Sequence, residues 1–237
     1  MERKGLADGV DAAVAAGMAA QLSRGGPRAG WKVAFNVAAV QRHFGLDGWL
    51  LGALAESCRL PVATPYNIVE GRKIKLEAEL ALKLGVDVVA GATLDFARAA
   101  IAAVVAAIEL VDYSLPSGSL SDIVAHSFFH AGFVVGEPRE SFVPLGPQEP
   151  TVIRNGEVVR GPDAALRIEE PASILLRASQ LLERHGQVLR AGEWVLCGSL
   201  IDPVSVRPGD AFEIDYGALG KLELSITSPA RSADSGA

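Results

Sequence analysis

Two glutamates two residues apart, Glu77 and Glu79, stand in the run IKLEAELALKL over residues 74–84. The apolar residues of this run alternate without a break, which is typical of a half-buried strand and places both carboxylates on one face. Two carboxylates this close repel each other, so that face either is open to water or holds a cation. The composition of the run also favours a helix, which would separate the two glutamates by about 200° around the axis.

A third acid, Glu109, has apolar neighbours on both sides in the run AAIELV. Burying a lone carboxylate in such surroundings is unfavourable unless it is paired or bound to a metal ion. Hard ions such as Mg²⁺ and Mn²⁺ prefer oxygen ligands. Glu77, Glu79 and Glu109 are therefore the candidate metal ligands, and an ordinary solvated face is the alternative for the first two.

The composition limits the class of protein. The chain has 237 residues and a formal net charge of -6. Its length fits one main domain, and its acidic balance without a Lys/Arg-rich block argues against nucleic acid as a partner. Cys58 and Cys197 are isolated, and the N-terminus MERKGLADG lacks the apolar core of a signal peptide, so we expect a cytoplasmic protein.

The first half of the chain predicts helices interleaved with strands. The Ala-rich run over residues 96–111 is too short for a membrane span and is interrupted by Arg98 and Glu109, so we expect a helix buried in a globular core and no membrane partner. The remaining predictions are a helix at 7–23, a strand at 31–36, a helix at 37–46 closed by Gly45, a loop at 61–73, and a turn around Pro116 and Gly118.

The second half predicts mostly β-structure. Residues 119–136 begin as a helix and continue as a strand around 132–135, and a helix at 171–185 starts with Pro171 at its first position. Asn155-Gly156 between Val/Ile-rich flanks predicts a hairpin with a type I′ turn over 151–161. A turn at 207–210 precedes a second hairpin, and the polar tail 228–237 is expected to be disordered.

Taken in order, the segments GWKVAF, IKLEAELAL, AIELVDYSL, SDIVAH, FVVGEP, NGEVV, LRAGEWVLCGSL, VRPGD and YGALGKLEL resemble one enzyme group. They are similar to the 2-keto-4-pentenoate hydratase and 4-oxalocrotonate decarboxylase group of the fumarylacetoacetate hydrolase superfamily. The resemblance implies an α+β fold, a mixed β-roll or partly closed barrel with flanking helices. It divides the chain into a helical segment at 1–29, a catalytic domain at 30–227 and the tail at 228–237.

The resemblance also implies a site. Glu77, Glu79 and Glu109 correspond to the family's metal ligands, and Lys32 to its active-site lysine. Mg²⁺ or Mn²⁺ would leave positions open for the keto and carboxylate oxygens of a 2-oxo acid and would stabilise the enolate formed from it. Lys32 would offset the negative charge and transfer a proton, unless it is an ordinary exposed lysine. A homo-oligomer is expected by the same resemblance.

Several positions depart from the family pattern. Leu50 stands where hydratases carry an aspartate and where decarboxylases carry an apolar residue. The segment from His126 to His130 replaces Ala-Asp-Asn-Ala-Ser, which makes His126 and His130 candidate acids or bases and places Ser127 and Phe129 in the substrate pocket. Either histidine could instead be a packed, hydrogen-bonded residue.

Two further positions concern the loops. Glu169-Glu170 stand where the family has Gly-His before a proline. Asp122 matches the family pattern, and we expect it to hold a loop or Lys32 rather than to react.

The functional hypothesis is a metal-dependent lyase acting on a 2-oxo or 2-hydroxydienoic acid, with decarboxylation slightly favoured over hydration. One alternative is hydrolysis of an acylpyruvate, for which His43 with Glu56 is the candidate dyad. Another is a non-catalytic family member that acts as a partner subunit.

Overall fold

The computed structural model describes residues 2–115, 118–138, 149–161 and 168–228, and side chains from residue 9 onward. The predicted turn at Pro116 and nearly all of the predicted tail therefore lie outside the described residues. Within these ranges there are five α-helices: α1 (Glu2–Ser23), α2 (Ala38–Phe44), α3 (Leu94–Ala99), α4 (Leu120–Ala125) and α5 (Pro171–Glu183).

The helix ends follow local sequence signals. Gly45 ends α2 in the left-handed region at φ 68°, and Pro171 opens α5 with the Glu170 carboxylate accepting from the Ser173 N–H. α4 begins with a capping box in which Ser119 and Asp122 bond each other's backbone N–H groups. The predicted C-terminal ends of α1, α2 and α5 lie within two residues of the observed ones. The N-terminal end of α1 lies at Glu2, before the predicted start at residue 7.

In the described part of the chain, seven strands form the first sheet. Their spatial order is β2 (Leu50–Ala55), β1 (Arg28–Ala34), β9 (Trp194–Leu196), β4 (Ile74–Leu84), β5 (Ile101–Asp112) and β6 (His130–Val135), with β10 (Val204–Ser205) also paired to β4. β1 and β9 run parallel, and the other neighbours are antiparallel. The strand prediction for residues 74–84 is confirmed with the same bounds, which excludes the helical alternative.

The prediction of a buried helix over 96–111 is wrong. Only α3 is helical there, and residues 101–112 form β5, which pairs with β4 along its whole length. Alanine favours a helix locally, but β-propensity depends on the neighbours that a strand finds. Here the long ladder with β4 decides the conformation, because small alanines pack well between two buried faces.

Among the described residues, five strands form the second sheet, in the order β3 (Tyr66–Asn67), β12 (Lys221–Thr227), β11 (Ala211–Asp215), β7 (Thr151–Arg154) and β8 (Glu157–Arg160). The predicted hairpin of β7 and β8 is confirmed, with Asn155 at φ 53° and Gly156 at φ 86° as a type I′ turn requires. The loop predicted at 61–73 contains β3. Helices and mixed sheets together confirm the α+β class.

The two faces of the first sheet have different surroundings. One face contributes Trp31, Leu80 and Ile108 to the main core, which also contains residues of α5 and of the second sheet. The other face carries a smaller apolar cluster, consisting of Ala29, Leu54, Ala81, Val105, Ala107, Phe133, Val135, Trp194 and Leu196. We call this second face the inner face.

No helix in the described part of the chain is long and apolar enough to cross a membrane.

Candidate metal centre

Three carboxylates meet on the inner face. Glu77 and Glu79 occupy alternate positions of β4, and Glu77 lies directly opposite Glu109 of β5. One carboxylate oxygen from each residue lies within 4.8 Å of the other two. The strand pair thus brings together, from two stretches of sequence, an oxygen cluster of the kind that divalent ions bind.

The cluster is buried at one end and open at the other. Glu79 is 0% exposed and Glu109 1%, whereas Glu77 is partly exposed. Within the described residues, Glu79 Oε1 and Glu109 Oε2 have no hydrogen-bond partner. Because a buried carboxylate oxygen without a partner is strongly unfavourable, these two atoms indicate a missing ligand.

Gly198 holds the innermost carboxylate and was not singled out from the sequence. Its N–H donates to Glu79 Oε2 at 2.9 Å. Gly198 has φ +95°, and a Cβ there would lie 2.8 Å from Asn36 Nδ2, so both the conformation and the space require glycine. The only sequence signal was its place in the segment LRAGEWVLCGSL.

Lys32 lies beside the carboxylates, paired with one of them. It is 3% exposed on β1, and its ammonium group forms an ion pair with Glu109 Oε1. Gly52 is its neighbour on β2, where a Cβ would come within 3.1 Å of Lys32 Cγ. The alternative of an ordinary exposed lysine is therefore wrong.

His130 contacts the same oxygen of Glu109. Its Nδ1 lies 2.8 Å from Glu109 Oε1, and its buried Nε2 has no partner among the described residues. Because a carboxylate only accepts hydrogen bonds, Nδ1 carries the proton of this bond. In the neutral imidazole Nε2 is then an acceptor.

The three carboxyl groups differ in how readily they ionise. Burial and Glu109 raise the pKa of Glu77 to about 7, with Lys32 opposing. Burial and the two other glutamates raise the pKa of Glu79 well above its ordinary value. Burial acts in the same direction on Glu109, but Lys32 and His130 outweigh it and the pKa of Glu109 is lowered. The positive charge near Glu77 and Glu79 is therefore too weak to compensate their carboxylates, and a bound cation would supply the missing charge.

His126 and Asp122 lie apart from this cluster. His126 is exposed at the end of α4, where its Nδ1 lies 2.8 Å from the Asp122 carbonyl oxygen. The Asp122 carboxylate accepts from Ser119 in the capping box and has no hydrogen bond with Lys32. The structure thus brings only one of the two candidate histidines to the carboxylates.

A strained turn connects α4 to β6. Ser127, Phe128 and Phe129 have φ of 51°, 54° and 62°, and each left-handed non-glycine residue is unfavourable by about 1 kcal/mol or more. Ser127 Oγ donates to the Ala53 carbonyl at 2.7 Å, which ties the turn to β2. Phe129 is partly buried, and its ring centroid lies 6.3 Å from that of His126.

Two apolar side chains, Leu50 and Phe128, lie near Gly52, the neighbour of Lys32 on β2. Leu50 is two residues from Gly52 on β2, so it lies on the same face as Lys32, and it is buried. A Cβ on Gly52 would also come within 3.1 Å of Phe128 Cδ2. The ring of Phe128 packs edge-on against Phe35 at 5.0 Å between centroids.

The departure at Glu169-Glu170 has a structural explanation. Glu169 Oε1 accepts from the indole N–H of Trp49 at 2.9 Å, and Glu170 caps α5. Neither glutamate belongs to the carboxylate cluster.

The predicted hydrolytic dyad does not form. His43 packs its ring against Phe44 on α2, and Glu56 pairs with Arg59. No hydrogen bond joins His43 to Glu56 in the described part of the chain.

The residues present fit a hard divalent cation. Glu77, Glu79 and Glu109 offer oxygen atoms on one side, and two of these residues have a buried oxygen with no partner in the described ranges. Lys32 and His130 hold only Oε1 of Glu109, leaving Oε2 for a ligand. Mg²⁺ and Mn²⁺ suit such a donor set.

The α+β fold and the acidic cluster on one face of a mixed sheet are typical of a metal-binding protein. The family model for the fumarylacetoacetate (FAA) hydrolase C-terminal region matches residues 51–227. The chain belongs to this family. The resemblance inferred from the sequence segments is confirmed.

Relatives include two kinds of enzyme. The chain is 26% identical over 212 residues to a 4-oxalocrotonate decarboxylase of Pseudomonas sp, covering 89% of this chain and 83% of the relative. It is 30% identical over 203 residues to a 2-keto-4-pentenoate hydratase of Burkholderia vietnamiensis, covering 84% and 78%. A structure of 4-oxalocrotonate decarboxylase from Pseudomonas putida G7, complexed with calcium and acetate, superposes with a TM-score of 0.73 at 25% identity, covering 86% of this chain and 79% of that one.

Proposed function

We propose that this protein is a divalent-metal-dependent lyase acting on a 2-oxo or 2-hydroxydienoic acid, with decarboxylation favoured over hydration. The main support is the cluster of Glu77, Glu79 and Glu109, in which two buried oxygens lack a partner among the described residues. The decarboxylase and hydratase relatives, and the calcium ion and acetate bound to one of them, support it.

Glu77, Glu79 and Glu109 would hold Mg²⁺ or Mn²⁺. When bound, the ion would polarise the 2-keto group of the substrate as a Lewis acid, a contribution of about several kcal/mol. Gly198 fixes the orientation of Glu79 through its N–H. Glu79 is thus oriented before a substrate arrives.

Lys32 and His130 supply the remaining polar groups. Lys32 keeps Glu109 ionised and retains two further N–H groups, which can donate hydrogen bonds to a substrate carboxylate. His130 is oriented by Glu109 through Nδ1, so its Nε2 can take a proton from the substrate and return it. His126 lies outside this arrangement and has no part in the proposed chemistry.

Leu50 favours decarboxylation over hydration. Its buried apolar side chain lies on the same face as Lys32, where the resemblance places an aspartate in hydratases. An apolar group there offers no hydrogen bond to an attacking water. Loss of CO₂ needs no such water.

The test is turnover of two substrates after metal removal with EDTA and addition of Mg²⁺. We expect CO₂ release from a 2-hydroxymuconate-type diacid that depends on Mg²⁺ and exceeds the rate of absorbance loss with 2-hydroxypenta-2,4-dienoate. Faster loss of the dienoate would identify a hydratase. No turnover of either substrate with Mg²⁺ present would contradict the lyase proposal.

Mg²⁺ affinity should depend on pH. A group that ionises with a pKa of about 7 competes for the ion with a proton, so affinity should rise about tenfold between pH 6 and pH 8 from Glu77 alone. Because this pKa lies above the ordinary value of 4.5, ionisation opposes folding, and the metal-free protein should lose stability as pH rises from about 4.5 to about 7. Titration calorimetry and thermal melts at several pH values measure both. Glu77→Gln should flatten the profile; an affinity independent of pH in the wild type would contradict the assignment.

Two further properties belong to the proposal. We expect a homo-oligomer in the cytoplasm that binds a small-molecule 2-oxo acid and neither nucleic acid nor membrane. Gel filtration at a mass near that of one 24.8 kDa chain would contradict the oligomer.

A further inference from the structure

Two strained segments meet beside Lys32. Among the described residues, six non-glycine residues have positive φ, and four of them, Phe35 and Ser127 to Phe129, belong to these two segments. Phe35 directly follows β1, three positions after Lys32, and has φ 61°. The left-handed region is unfavourable for a residue with a side chain, so it persists only where surrounding contacts hold it, and such residues are common at functional sites.

Aromatic rings join the two segments. Phe35 and Phe128 pack edge to face, with 5.0 Å between their centroids and 81° between their planes. On α2, the ring of Phe44 stacks on that of Phe35 at 5.1 Å, and Gln41 Nε2 donates to the Phe35 carbonyl at 2.8 Å. These contacts offset the backbone strain and hold the rings of Phe35 and Phe128 in one place. We call Phe35 and Phe128 the aromatic cover.

The aromatic cover borders the stem of Lys32. A Cβ on Gly52 would lie 3.1 Å from Lys32 Cγ and 3.1 Å from Phe128 Cδ2. The lysine stem and the Phe128 ring therefore border one small space above Gly52, which is too small for a side chain. Lys32 is 3% exposed and Phe128 is 5% exposed. The ring thus occupies volume beside Lys32 that would otherwise be open to water.

Exclusion of water acts differently on decarboxylation and on hydration. In decarboxylation, the bond between the leaving carboxylate and the carbon chain breaks, its electron pair passes into the conjugated 2-keto group, and the resulting enolate takes up one proton. No water is consumed, and the charge of the leaving carboxylate disappears as CO₂ forms, so apolar surroundings favour this step. Hydration adds the hydrogen and the hydroxyl group of a water molecule across a carbon–carbon double bond, and therefore needs a water molecule at the substrate.

We propose that Phe35 and Phe128 exclude water from the Lys32 side of the site, and that this exclusion makes the enzyme release CO₂ instead of hydrating its substrate. This inference rests on the proposed function and names residues that select between its two reactions. Both phenylalanines are specificity-determining residues. Neither has a group that exchanges a proton with the substrate.

Alanine is the informative replacement at both positions. It keeps the Cβ, and with it the left-handed strain, and removes only the ring. Phe128→Leu keeps an apolar side chain in the same place and should behave like the wild type. Phe212→Ala is the matched control, because Phe212 is also buried, at 3% exposed, but lies on β11 of the second sheet.

The first measurement is the ratio of two rates in the presence of Mg²⁺: CO₂ release from a 2-hydroxymuconate-type diacid and loss of 2-hydroxypenta-2,4-dienoate. Phe128→Ala and Phe35→Ala should each lower this ratio by about tenfold, which is the discrimination that a small change in an apolar pocket gives. Phe128→Leu and Phe212→Ala should keep the ratio of the wild type. If Phe128→Ala does not fold, Phe35→Ala tests the proposal, since Phe35 is only partly buried. A merely structural role would lower both rates together, and an unchanged ratio in Phe35→Ala and Phe128→Ala would overturn the proposal.

The second measurement needs no turnover. Acetylation of Lys32 by acetic anhydride in EDTA, followed by mass spectrometry of the peptides, reports how easily a small polar molecule reaches this ammonium group. We expect Lys32 to react severalfold faster in Phe128→Ala than in the wild type, while Lys221, whose side chain is 54% exposed, serves as the unchanged reference.

The two measurements separate the aromatic cover from the proposed function. Equal acetylation of Lys32 in the wild type, Phe128→Ala and Phe35→Ala would overturn the exclusion of water even if the enzyme is a decarboxylase. A wild type that turns over neither substrate, with faster acetylation of Lys32 in the alanine variants, would contradict the proposed function while supporting the exclusion of water.

Discussion

Glu79→Gln is expected to lose at least about a thousandfold of the metal-dependent turnover, since a ligand to an ion worth several kcal/mol is removed. At the same time, the metal-free variant should be more stable than the metal-free wild type at pH 8, by on the order of 1 kcal/mol. The reason is that Glu79 is 0% exposed and that burial and its two acidic neighbours raise its pKa, so ionisation opposes folding above the pKa of the unfolded chain. Glutamine keeps an oxygen for the Gly198 N–H and removes the charge.

Turnover with Mg²⁺ and urea denaturation in EDTA measure the two effects. Glu223→Gln on β12 is the control, because this glutamate lies on an exposed strand position and should change neither. A purely structural ion predicts a different result, in which Glu79→Gln has lower stability in Mg²⁺ and the wild type has no metal-dependent turnover to lose. Full turnover in the variant would exclude Glu79 as a ligand.

Lys32→Met should have the largest combined effect on stability and activity. Removing one partner of a buried ion pair is unfavourable by about 3–5 kcal/mol, because the other charge stays buried. Glu109, 1% exposed, would keep only His130 as a described partner at Oε1, and its pKa would no longer be held down by the ammonium group. We expect turnover to fall by about a thousandfold, as Lys32 also provides a donor for the substrate.

Urea denaturation and turnover in the same buffer separate these contributions. Lys221→Met removes a surface lysine that pairs with Glu213 and should leave the stability within about 1 kcal/mol of the wild type. If Lys32→Met is as stable as Lys221→Met, the ion pair with Glu109 does not form in solution. Lys32→Arg should not restore activity, because a planar guanidinium does not reproduce the compact ammonium group that pairs with Glu109 Oε1.

Local sequence patterns predicted several elements correctly, because interactions between residues close in the sequence determine these elements. Strict alternation over residues 74–84 specified β4, and the two glutamates of this run then had to share a face. Asn155-Gly156 specified a type I′ turn because both positions need positive φ. The helix over 96–111 was predicted by the same local reasoning and was wrong, since pairing with β4 outweighed the helix propensity of alanine.

The order of residues along the chain established that three acids and one lysine were available and that the chain follows this family's pattern. Their pairing depends on the folded arrangement: Glu109 lies opposite Glu77, Lys32 and His130 share one oxygen of Glu109, and the Gly198 N–H donates to Glu79. It also left His126 outside. The physical reason is that strand register and close backbone approach bring together residues far apart in the chain, and no local pattern encodes these contacts.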